Sequence, residues 1–73
     1  MTTIPARRSP LTTAALARAD AEDSLLTTGE QMRELEAARL PIPAQLAQRY
    51  AGLLAAYDEA TAEVRRLTRA GAA

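Results

Sequence analysis

In the second half of the chain, apolar residues recur at Leu46, Tyr50, Leu53, Tyr57, Ala60, Val64 and Leu67, with gaps alternating between four and three. An α-helix turns once every ~3.6 residues, so this spacing draws one continuous apolar seam along a helix. A sustained period of about 3.5 residues asks for left-handed packing against a second helix. Ala47, Leu54 and Ala56 flank the seam and widen it beyond a two-helix stripe. A face that broad suits a bundle of three or four helices. Gly52, Ala55 and Ala56 are small enough for another backbone to come close.

The first half carries a thinner seam, supplied by Leu11, Ala14, Ala15, Leu25, Leu26, Met32 and Leu35 and interrupted by Arg18 and Arg39. Ser9-Pro10 is a helix start: serine caps the free amides, and proline fits a first position where no N–H is needed. Thr27-Thr28-Gly29-Glu30 matches the start of a new helix through a capping box. However, Leu25, Thr28, Met32 and Leu35 stay on one face across it, which favours a continuous helix with a soft spot at Gly29. Pro41 and Pro43 bracket Ile42 and force the chain out of helical geometry. The second helix should stop at Gly71, with Arg65, Arg66 and Arg69 near its C-terminal end, where the helix dipole favours cations.

The expected organisation is an N-terminal arm over 1–9, a helix over 10–39, a loop over 40–42 and a helix over 43–70. Two helices on a short proline-bearing connection make an all-α antiparallel hairpin. Folding about Ile42 brings Asp20, Glu22 and Asp23 toward Arg65 and Arg66, so interhelical ion pairs are expected, each individually weak. The broad face of the second helix outruns what the first can cover. The expected form is therefore a homodimer completing a four-helix bundle. Its seam and interface residues are Met32, Leu35, Leu46, Tyr50, Leu53, Leu54, Tyr57, Val64 and Leu67.

Composition sharpens this picture. The chain has 73 residues, no Phe or Trp, and an apolar fraction of 48% that is largely alanine, so it can bury a seam but no thick core. Domains this small usually need disulfides, a metal or a partner. With no Cys and no His, disulfides, thiolate sites and imidazole ligands are excluded, and association remains. No resident metal or cofactor is expected. Nine arginines balance nine acids, which argues against a strong polyanion binder. The absence of lysine beside abundant Ala and Arg looks like the usage of a GC-rich genome, so a bacterium or its phage or plasmid is the expected source. No apolar run approaches the ~20 residues of a membrane span. Arg7 and Arg8 precede no apolar stretch of signal-peptide type, so a cytoplasmic protein is expected.

Candidate chemistry is sparse. Ser9, Ser24 and the threonines have no His or Cys to activate them, so no catalytic residue is assigned. The acids do not have the spacing of a calcium loop. Arg18 and Arg39 on the first seam are the residues an Arg/Glu helical-bundle enzyme would use, the least favoured reading. A nucleic-acid-binding regulator is the second reading, with Arg7 and Arg8 as polyanion contacts. SLLTTGEQMREL resembles the first helix of excisionase-like helix-turn-helix domains. That resemblance implies a tight turn and a short recognition helix, where this chain has RLPIPAQLAQRYAGLL. The first expectation is a small non-enzymatic protein–protein interaction module, such as an adaptor, co-chaperone or inhibitor acting through its apolar seam. In length and architecture it is similar to co-chaperones of bacterial type III secretion needles, with no shared residue motif.

Overall fold

A computed structural model describes residues 9–72. Arg7, Arg8 and the rest of the arm before Ser9 lie outside the described residues. Two helices, α1 (Pro10–Ala37) and α2 (Ala44–Ala72), pack against each other as an antiparallel hairpin.

Local chemistry sets the ends. Ser9 is extended, and its Oγ accepts from the Thr12 N–H at 3.1 Å, with Pro10 opening the first turn. At the far end α1 stops at Ala37, two residues before the boundary read from the sequence. The Arg39 N–H donates to the Glu36 carbonyl at 3.0 Å and the Leu40 N–H to the Leu35 carbonyl at 2.8 Å. These two bonds form a Schellman closure with Arg39 in the left-handed region at φ 59°. Leu40 can then leave in the extended geometry that Pro41 demands.

Pro43 lies just before α2, because its carbonyl accepts from the Leu46 and Ala47 amides, both at 3.1 Å. The helix therefore begins at Ala44 rather than at residue 43. It also continues through Gly71 to Ala72, because no described glycine takes the positive φ that ends a helix. α1 crosses Gly29 without a break. The Thr27 hydroxyl donates to the Asp23 carbonyl at 3.2 Å, back along the same helix, so Thr27 does not cap a new one.

The interior is a single interhelical seam. Ala14, Ala21 and Thr28, seven residues apart on α1, are the described residues classed as buried. Their small size lets the backbones approach, and Tyr50, Tyr57 and Val64 recur at the same interval on α2. Two observations fix the antiparallel register. A Cβ on Gly29 would lie 3.7 Å from Tyr50 Cε1. The Arg18 guanidinium stands over the Tyr57 ring. Large side chains of α2 thereby fall level with small ones of α1. No large side chain among the described residues is fully buried.

Candidate interaction surface

The structure places Leu46, Tyr50, Leu53, Tyr57, Val64 and Leu67 of α2, with Met32 and Leu35 of α1, half-buried along the seam. Leu54 is different: it is 42% exposed. The seam is thus largely filled by the two helices of the hairpin themselves, and the exposed leucines lie off it, with Leu26 and Leu54 on one side and Leu16 on the other.

Of the two arginines read as interrupting the α1 seam, only Arg18 is on it. It is half-buried, and its Cζ lies 5.6 Å from the centroid of the Tyr57 ring. The guanidinium is held by the ring's negative face. Arg39 is exposed in the interhelical turn. The two do not converge, and among the described residues no group of three or more acids is placed to hold a metal ion.

The expected ion pairs between the acids of α1 and Arg65 or Arg66 are not formed. Arg66 instead forks onto Glu63 one turn earlier in α2, with Nε at 3.1 Å from Oε2 and Nη2 bonded to Oε1. A neighbour one turn away on the same helix is already within reach, whereas a pair across the hairpin has to span the gap between the helices. The hydrogen bond from Arg66 holds the Glu63 carboxyl below the usual carboxylate range, and Glu63 in turn raises the Arg66 guanidinium.

The hairpin has two unlike faces. Asp23, Ser24, Thr27, Thr28 and Gln31 of α1 line a groove with Arg49 of α2 on one of them. Further along that face Thr13, Ala14 and Ala17 meet Ala56, Glu59, Ala60 and Glu63. This polar-rimmed face carries charged and hydroxyl side chains around small alanines. On the other face Glu22, Leu26, Gly29 and Arg33 of α1 border Tyr50 and Tyr57. Helical spacing puts Ala15 and Ala19 on this same side of α1, and Ala47, Ala51 and Leu54 on the same side of α2. Leu26 is 57% exposed there. Leu54 is an interface residue read from the sequence and Leu26 belongs to the expected seam of the first helix; the structure leaves both exposed beside the interhelical seam.

SLLTTGEQMREL lies inside α1, and it is followed not by a short recognition helix but by the proline-bearing connection and the 29-residue α2. No described helix is long and apolar enough to cross a membrane. No protein-family model, curated protein or solved structure matches this chain.

Proposed function

We propose that this chain is a small non-enzymatic protein–protein interaction module, an adaptor or chaperone-like hairpin that completes its fold by self-association into a four-helix bundle. One observation carries the reading: the described core is two alanines and a threonine, while Leu11, Leu16, Leu26, Leu40 and Leu54 remain exposed. A lone two-helix hairpin with that little burial is marginal, and small domains of this kind are commonly completed by a partner. A two-fold homodimer is the commonest such arrangement.

The test is the helical signal in circular dichroism along a dilution series. Helicity that falls as the protein is diluted supports association-coupled folding. A fully helical chain whose thermal midpoint is independent of concentration overturns it.

A nucleic-acid-binding role is the second reading, favoured by Arg65, Arg66 and Arg69 lying together near the end of α2. Salt-sensitive retention on a nucleic-acid column would select it.

A further inference from the structure

We infer that the leucine face is where a second copy docks, about a two-fold axis passing between Leu26 and Gly29 of α1 and beside Ala51 of α2. This rests on the self-association reading and specifies its geometry.

The stripe Glu22, Leu26, Gly29, Arg33 has gaps of four, three and four, so it reads the same spacing in both directions. An antiparallel copy of α1 laid on it brings Glu22 opposite Arg33 of the partner subunit and Leu26 opposite Gly29 of the partner subunit. Each pair occurs twice by symmetry, one joining opposite charges and the other seating a large side chain on a position without one. Within the chain, neither Glu22 nor Arg33 is in an ion pair among the described residues.

The second helix supplies an independent check. The approach of Gly29 to Tyr50 fixes which part of α2 is level with that axis. Ala51, the next residue, lies on the leucine face and therefore at the axis. The same operation then brings Leu54 to the level of Gln48 and Ala47 of the partner subunit, so that a large side chain again meets a small one. The axis chosen from α1 falls within about one residue of the one that seats Leu54 on that alanine. The opposite face presents Ser24, Thr27 and Gln31 in one part and alanines beside Glu59 and Glu63 in another, without the charge pairing that Glu22 and Arg33 make possible.

The chain has no cysteine, so single-cysteine variants report proximity cleanly. Under mild oxidation Ala51→Cys is expected to form a covalent dimer, and Ala56→Cys, on the polar face, is not. Glu22→Arg and Arg33→Glu should each weaken self-association about tenfold by placing like charges together at two symmetric sites. The double variant should recover to within about threefold of the parent, a rescue that a purely intrachain role for either residue would not produce. Circular dichroism at high protein concentration confirms that each variant is helical. If the parent dimerises but Ala51→Cys does not cross-link and the charge swap shows no rescue, the axis is wrong while association stands. If the parent is monomeric at all concentrations, the self-association reading itself fails.

Discussion

The guanidinium of Arg18 on α1 stands over the ring of Tyr57 on α2, 5.6 Å from its centroid, and joins the two helices at a point where the apolar seam of α1 is interrupted. A charge in a seam is ordinarily a defect, but here the aromatic partner converts it into an interhelical contact. The pair should be separable from simple hydrophobic burial. In a double-mutant cycle with Arg18→Gln and Tyr57→Leu, a coupling of about 0.5–1 kcal/mol is expected from chemical denaturation. Tyr57→Phe should retain most of it, since the ring face is kept.

Arg39 closes α1 at φ 59°, a conformation that costs a side-chain-bearing residue about 1–2 kcal/mol. Its side chain is exposed in the turn. Arg39→Gly should therefore stabilise the hairpin by about 1 kcal/mol, visible as a raised thermal midpoint. A fall in stability would mean that the arginine side chain has a role that its exposed position does not reveal.

Gly52 lies mid-helix on α2, and a Cβ there would meet nothing within 4 Å. Gly52→Ala should add about 1 kcal/mol through helix propensity alone. Since Gly52 is on the polar face, the dimerisation constant should otherwise change little. Marked loss of self-association would instead place the docking surface on that side.

Thr61 carries a buried hydroxyl with no hydrogen-bond partner. Replacing such a group with an apolar one of the same shape removes an unmet need. Thr61→Val is accordingly expected to gain about 1 kcal/mol in urea denaturation.

The Glu63–Arg66 pair sets a small acid dependence. Because the folded Glu63 carboxyl titrates below its unfolded value, its contribution is present above the unfolded value and disappears as pH falls through the folded one. Both groups are exposed, so the effect is modest and weakens with salt. Glu63→Gln should lower the thermal midpoint slightly at neutral pH and leave it unchanged at a pH where the parent carboxyl is already protonated.

The hairpin itself was legible because α2 repeats its apolar spacing over its whole length, and because Ser9-Pro10 and Pro41/Pro43 punctuate the chain with unambiguous backbone chemistry. The close of α1 was less legible. A left-handed C-terminal residue is signalled by glycine, and here it is arginine, so only the carbonyl bonds from Arg39 and Leu40 reveal it. Gly71, the expected stop of α2, remains helical for the complementary reason: glycine permits a left-handed turn without requiring one. Arg18 read as an interruption because its partner, Tyr57, is distant in sequence and becomes adjacent only in the antiparallel register. The leucine face was legible in part: Leu54 is an expected interface residue and Leu26 an expected seam residue, but they belong to different helices, and their common surface exists only after the hairpin has closed.

Whether this hairpin completes itself by pairing is decided by sedimentation equilibrium of the chain over a wide concentration range. A reversible monomer–dimer equilibrium is expected, with the dimer as the largest species. A single monomeric species at the highest concentration, with helicity intact, would contradict it.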